Sequence, residues 1–515
     1  MKEILTCSQM KATDAYTIQE MGIPSCVLME RAALAVAEEI KKRLGEKERI
    51  LVVCGSGNNG GDGIAVARLL YLSGVRAEFF LAGSEEKMTQ ETARQLQIAR
   101  NYQVPQVHTP LFSEYTTIVD AIFGVGLSRN IEGRYAELIH ELNAADAFRV
   151  AVDIPSGVDG DTGRELGAVF HADLTVTFAY KKRGLCFYPG RMHAGEIVTA
   201  DIGIYTRGEE SLPRHMEKGD LALLPVPDPG GNKGTFGRVL AVAGSPGMCG
   251  AAFLCAAAAL KCGAGMVKIQ TTEENRIPLQ TLLPEAMVTS VFCEEENEKM
   301  MDWCDVLIIG PGLGVSGISR KRAQWFLKAA SARGKKVILD ADGLNLLSMH
   351  PQWRSYLGDH VILTPHPGEM SRLCGSSIRE IRDRLVDTAA EYAGKTGAAC
   401  VLKDACTVTA FGEEVFLNLS GNAGMAAAGS GDVLSGVEAG ILCAFLRKEN
   451  PPSMGTIAAL GAYIHGLAGD AAAAECGIRG MTAGDILQHL PGVLKEAEDI
   501  KELKKETGKR TKKEG

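Results

Sequence analysis

The chain has 515 residues, more than one compact core usually holds, so two to four domains are expected. Apolar residues make up 46% and charged residues 23%, ordinary globular proportions that exclude collagen-like, coiled-coil and low-complexity classes. A net charge of -8 argues against nucleic acid as a partner, since phosphate-backbone binding needs a basic face.

In chain order, the start Met1-Lys2-Glu3-Ile4 lacks the basic and apolar regions of a secretory signal. The longest apolar run, residues 251–260, falls short of the ~18 to 20 residues that cross a bilayer. A cytoplasmic protein without membrane contact is expected. Residues 8–45 carry a helical pattern, with Ser8 and Ser25 as caps and Pro24 dividing two segments. A β-rich run at 50–54 leads through a glycine loop into a helical stretch at 63–72, and strands are expected at 75–81, 117–123, 148–154, 174–178 and 197–202. Such alternation predicts a mostly parallel sheet covered on both faces.

Between about 203 and 234 the periodicity lapses and Pro225, Pro227, Pro229, Gly230 and Gly231 crowd together, so a domain boundary belongs there. The alternation then restarts, with strands expected at 239–243, 266–269, 306–309, 337–339 and 361–363 and helices at 250–262, 378–395, 431–446 and 456–474. Residues 501–515, mostly Lys and Glu without an apolar face, read as a solvated tail. The 14 cysteines are dispersed with no C-x-x-C pair, which suits buried, reduced thiols better than a disulfide framework or zinc site.

In doubly wound sheets ligands collect at the carboxyl ends of the strands, and three such segments stand out in the first half. The loop Gly55-Ser56-Gly57-Asn58-Asn59-Gly60-Gly61-Asp62-Gly63 contains a formal G-x-G-x-x-G whose amides could cradle a pyrophosphate. Paired asparagines, and the lack of an acidic residue at the end of the next strand, set it apart from a plain dehydrogenase fingerprint. Asp120 precedes a second glycine loop, Phe123-Gly124-Val125-Gly126-Leu127-Ser128-Arg129, and Asp153 closes a strand before Pro155, Ser156 and Gly157 turn the chain. Asn59, Asp120 and Ser156 would offer hard oxygen ligands and one negative charge, which suits a monovalent cation. Asp153 is then the available general base.

These three segments, with Lys182 and Gly184 further on, resemble the NAD(P)H-hydrate epimerase domain. The resemblance implies a Rossmann-like three-layer domain over residues 1–215. It would bind NAD(P)H hydrate through Asn58, Asn59, Gly60, Gly61, Asp62, Gly124, Val125, Gly126, Leu127, Ser128, Arg129, Asn130 and Asp153. Potassium would sit at Asn59, Asp120 and Ser156, and Asp153 would be the catalytic acid/base.

In the second half, strand ends supply Gly310 to Gly314, Asp340-Ala341-Asp342, Thr364 to Glu369 and Lys403 to Thr407. The sharpest is Gly429-Ser430-Gly431-Asp432, a glycine turn into a helix, where amides could hold phosphate and Asp432 could deprotonate an attacking hydroxyl. His366, stiffened by Pro365 and Pro367, should face the same cleft. With Lys233-Gly234, these motifs resemble the ribokinase-like superfamily and, within it, ADP-dependent NAD(P)H-hydrate dehydratases. That implies a ribokinase-like α/β domain over 216–498, followed by the charged tail 499–515. Ala251, Gly314, His366 and Asp432 would contact the hydrate, with Asp432 catalytic. Lys403, Asp404, Ala405, Cys406, Thr407 and Gly431 would bind ADP, with magnesium as cofactor. Asn232 stands where this family commonly has His, and Asp404 where Gly is usual. Together the two halves imply a homo-oligomeric enzyme that epimerises R and S NAD(P)H hydrate and dehydrates the S epimer with ADP. The alternative is a ribokinase-like kinase for a vitamin-type alcohol fused to a nucleotide-binding module.

Overall fold

The structure is a computed structural model describing residues 1–511 except 46, 47, 207, 209 and 210, with side chains to residue 503. The chain divides into two compact units: Glu3–Leu212, and Pro213–Gly515 together with Met1–Lys2.

The first unit is built on strands β1 (Lys2–Leu5), β2 (Arg49–Cys54), β3 (Arg76–Leu81), β4 (Gln106–Val107), β5 (Thr117–Ala121), β6 (Phe148–Val152), β7 (Leu174–Phe178), β8 (Lys181–Lys182) and β9 (Glu196–Ala200). Seven of these form a parallel sheet in the order β4-β3-β2-β5-β6-β7-β9. Counted within the sheet this is 3-2-1-4-5-6-7, the dinucleotide-fold order, with the direction of winding reversing between β2 and β5. Alternation of side chains splits the sheet's burial between two faces. Ile50, Val52 and Cys54 join the core under helices Ser25–Lys41 and Asn58–Leu72, while Leu51 and Val53 join that under Arg134–Ala144.

The glycine segment is not a loop before a helix at 63; it is the helix's first turn, capped at Gly57. A Cβ at Gly60 would stand 1.9 Å from the Gly55 carbonyl oxygen, so this turn closes onto the strand end only with glycine there. The expected caps also move. Thr6, not Ser8, starts helix Cys7–Gln19 through a capping box with Gln9, and Pro24, which has no side-chain acceptor, precedes Ser25–Lys41.

The second unit carries β10 (Arg214–His215), β11 (Arg238–Val242), β12 (Met266–Gln270), β13 (Met287–Thr289), β14 (Val306–Ile309), β15 (Lys336–Leu339), β16 (Val361–Leu363), β17 (Ala399–Leu402), β18 (Val408–Phe411) and β19 (Glu414–Leu417). The order β13-β12-β11-β14-β15-β16-β17 is parallel, β18 and β19 continue it as an antiparallel meander, and β10 joins β19. Winding again reverses beside the first strand, between β11 and β14. Helices Cys249–Lys261 and Ser430–Phe445 approach so closely that a Cβ at Gly436 would meet the Cys255 carbonyl oxygen at 2.1 Å. Helix Met454–Cys476 is long and apolar enough to cross a membrane, yet Ile457, Leu460 and Ile464 are buried in this unit's core.

The stretch expected as one helix over 378–395 is two, Ile378–Asp383 and Leu385–Thr396, broken at Arg384. The charged segment from 499 continues helix Ala483–Thr511, with Ile500 packed on the core, and its residues 512–515 lie outside those described. All 14 cysteines are free; eight are buried, but Cys293, Cys374 and Cys476 are exposed, contrary to the buried reading.

Candidate functional sites

In the first unit a cavity of about 770 Å³ opens at the reversal point. Asn58, Asn59 and Asp62 line it from the first turn after β2, and residues 124–129 line it from the loop after β5. Gly60 and Gly61 do not. Gly60 packs on the strand end and Gly61 against Met29 and Thr92. Asn130 is exposed beyond the lining residues.

Asp153 lies on the cavity wall one residue past β6, in the left-handed region at φ 68°. Ile154 N–H donates to the Val152 carbonyl at 2.9 Å, closing a tight turn centred on Asp153. A non-glycine residue held this way costs roughly 1–3 kcal/mol, which the surroundings must offset. They do so at Oδ1, which accepts from Thr177 Oγ1 at 3.1 Å, from Phe178 N–H at 3.2 Å and from the buried Lys182 ammonium. Lys182 also donates to Thr177 Oγ1 at 3.1 Å and the Phe178 carbonyl at 3.0 Å. The carboxylate is thereby fixed through one oxygen.

Beneath this wall Asp120 is fully buried. Its Oδ2 accepts from Ser156 N–H at 2.7 Å, and its Oδ1 accepts from Ser156 Oγ at 2.7 Å and Ile122 N–H at 3.1 Å. Burial raises its pKa to about 6 against the opposing pull of those three donors. Ser156 Oγ in turn accepts from Phe123 N–H at 2.9 Å, and Asn59 packs on the next residue, Gly124. The three expected cation ligands therefore meet around one loop, although Asp120 and Ser156 do not line the cavity itself.

The strand ends of the second unit converge on one ion pair. Lys403, just past β17, donates to Asp340 Oδ1 at 2.8 Å, and Ser435 Oγ donates to Asp340 Oδ2 at 2.6 Å. Burial alone would raise the Asp340 carboxyl, but the Lys403 ammonium beside it prevails and holds it below the usual range. Gly431 sits against this pair, with its missing Cβ 3.2 Å from Lys403 Nζ. In the same turn, the next residue, Asp432, is pushed up to about 7, by burial first and then by the Asp340 charge. Gly314 N–H donates to Asp342 Oδ2 at 2.7 Å, and the adjoining Gly312 packs on Ala251.

His366 caps helix Pro367–Cys374, its Nδ1 accepting from Gly368 N–H at 3.0 Å. Burial and the Lys403 charge lower its pKa, so its ring is neutral at pH 7. In the nucleotide loop, Asp404 Oδ2 accepts from Arg382 Nε at 3.1 Å and its Oδ1 from Ala405 N–H at 2.9 Å. Its extra charge is thus matched by Arg382. Cys406 is buried, and Thr407 Oγ1 turns back to the Asp404 carbonyl at 3.4 Å. Asn232 accepts from Gly234 N–H at 2.9 Å and holds the turn before β11. In the sequence Asp340 is one strand-end acid among several, and nothing local marks a role for it. Its place under Lys403 and Ser435 shows only once three distant segments meet.

A Rossmann-like unit and a ribokinase-like unit, each with polar loops at its reversal point, define a two-site α/β enzyme. The family model described as NAD(P)H-hydrate dehydratase matches residues 239–492, and that described as YjeF-related protein N-terminus matches residues 25–184. The bifunctional NAD(P)H-hydrate repair enzyme Nnr of Moorella thermoacetica is 38% identical, over 96% of this chain and 97% of its own. That of Escherichia coli K12 is 35% identical over 92% and 90%. The solved ADP/ATP-dependent NAD(P)H-hydrate dehydratase of Bacillus subtilis, co-crystallised with ATP and Mg2+, is 30% identical over 55% of this chain and 99% of that one, with a TM-score of 0.46. The chain belongs to the family of bifunctional NAD(P)H-hydrate repair enzymes.

Proposed function

We propose that the first unit interconverts the R and S epimers of NADH and NADPH hydrate and that the second dehydrates the S epimer with ADP. Asp432 carries this reading: a half-buried carboxyl titrating near neutrality, in the first turn of a helix and beside the Lys403–Asp340 pair. Hydroxide is a poor leaving group, so the hydrate needs activation. Asp432 takes the proton of its hydroxyl, whose oxygen attacks the β-phosphorus of ADP, and AMP leaves. The phosphate ester then eliminates, the C–O bond breaking as a neighbouring C–H proton is lost, which regenerates NAD(P)H and releases phosphate. Ala251, Gly314 and His366 would hold the hydrate, and Lys403 to Thr407 with Gly431 the nucleotide. Lys403 supplies positive charge where phosphate charge develops.

In the first unit the hydrate would occupy the cavity between Asn58–Asp62 and Gly124–Asn130, with Asp153 exchanging protons. Potassium is proposed at Asn59, Asp120 and Ser156. The fit rests on Asp120, a fully buried carboxylate that no lysine or arginine pairs among the described residues. Bound there, the cation would supply that missing charge and steady the Phe123–Gly124 loop. Among the described residues no three His, Cys, Asp or Glu gather as a metal cluster, so magnesium would arrive on the nucleotide's phosphates. The enzyme is proposed to act as a cytoplasmic homo-oligomer.

The test is to incubate mixed hydrate epimers with the protein and ADP, ATP or no nucleotide. Nucleotide-dependent recovery of reduced-nicotinamide absorbance, beyond the half supplied by one epimer, is expected. Phosphoryl transfer from ATP to another alcohol, with no recovery, would establish the kinase instead.

A further inference from the structure

Helix Cys7–Gln19 lies outside every motif that carries the family resemblance, yet Met10, Lys11, Asp14 and Ile18 form one wall of the first unit's cavity. Their spacing is that of side chains on one helix face. That face brings Asp14 to the same enclosure as Asp62 and Asp153. Lys182 is the buried cation there, and its bonds go to Asp153, Thr177 and Phe178. Asp14 and Asp62 form no ion pair among the described residues. Three carboxylates lining one partly open cavity that holds a single buried ammonium cannot all ionise cheaply.

We propose that Asp14 is a positioning residue for proton transfer in this cavity: set with Asp62 and Asp153 about the Lys182 ammonium, it keeps a proton in the cluster for the hydroxyl of the hydrate. The inference rests on the epimerase reading above. Burial first, then the Asp153 and Asp14 charges, pushes Asp62 well above the usual carboxylate range, and Lys182 opposes them. Asp14 is itself raised, chiefly by burial. Asp62 is therefore the acid that holds the proton, and Asp153, ion-paired with Lys182, is the acceptor.

The step balances without a further reactant. Asp62 gives its proton to the hydroxyl oxygen. The C–O bond breaks with its electron pair on the departing water, while the ring nitrogen's lone pair forms C=N+. Water then adds to the other face and loses its extra proton to a carboxylate of the cluster.

The full-length chain is incubated with one pure epimer without nucleotide, and the two epimers are separated by chromatography at early times across pH. Other charged groups on the cavity wall are Lys11, Glu91 and Arg129, and they are left unchanged. Asp14→Asn should slow interconversion toward the lower end of the ~10²- to 10⁴-fold range of lost acid/base assistance. It should also move the alkaline fall of the pH profile to lower pH, because Asp62 loses a repelling neighbour and gives up its proton sooner. Asp14→Glu should restore much of both, and ADP-dependent dehydration should be untouched. An unchanged rate, or a slower rate with an unmoved profile, would overturn the proposal. A wild type that leaves a pure epimer no faster than buffer would instead sink the epimerase reading, and this inference with it.

Discussion

Asp153 and Asp432 were both legible as single letters, because each follows a strand or glycine turn where a doubly wound sheet gathers its ligands. Asp153→Asn keeps the turn and the Thr177 and Phe178 bonds but cannot exchange a proton. Epimerisation should fall ~10²- to 10⁴-fold while dehydration of the S epimer continues, which early-time epimer separation and nicotinamide absorbance will show. Asp432 must be ionised to act as a base, and its pKa of about 7 sets the consequence. Dehydration should decline as pH falls through 7. The raised value also means that folding disfavours the ionised form, a cost that grows as pH rises from about 4, where an unfolded Asp titrates, to 7. Asp432→Asn should therefore abolish dehydration and yet melt higher than wild type at pH 8; a lower melting temperature would show that its charge is compensated. Asp14 was not legible, since no local pattern marks a helix face as a cavity wall until β6 and β8 stand opposite it.

Among the elements, the long apolar strands and helices read well and the short polar ones did not. β17 was read only through its end at Lys403, and β18 and β19 went unseen because their four residues each, VTAF and EVFL, mix polar and apolar side chains without a sustained apolar run. Helix Ser430–Phe445 was placed within a residue, but its central feature could not be read: Glu438 is fully buried with neither carboxyl oxygen bonded. Gly461 of the facing helix makes room, since a Cβ there would stand 2.5 Å from Glu438 Oε2. Burial alone raises this acid well above its ordinary value, so folding favours its protonated form. That advantage is complete below the unfolded pKa of about 4.3 and is lost progressively as pH rises toward the folded one. Glu438→Gln keeps the shape without the ionisation. Its melting temperature relative to wild type should increase with pH above about 4.3, and a constant gap would mean that Glu438 finds a partner.

At the scale of the whole molecule, the sequence revealed two sheets of alternating type but not that both reverse beside their first strand, because pairing between β2 and β5, or β11 and β14, leaves no local trace. Two self-contained sites predict complementation in trans. Equal amounts of Asp153→Asn and Asp432→Asn chains, each unable to clear mixed epimers promptly with ADP, should together recover nearly all the nicotinamide absorbance; recovery limited to what either gives alone would mean the intermediate epimer does not leave the chain. The reversal also orders events during synthesis. β2 emerges with its glycine turn long before β5 brings the opposing loop, and β3 and β4 must be made in between. Until the fourth strand docks, the chain has half a cleft and no affinity to gain. The substrate can therefore select only for the finished sheet, and its binding would report that the growing polypeptide has turned back on itself correctly.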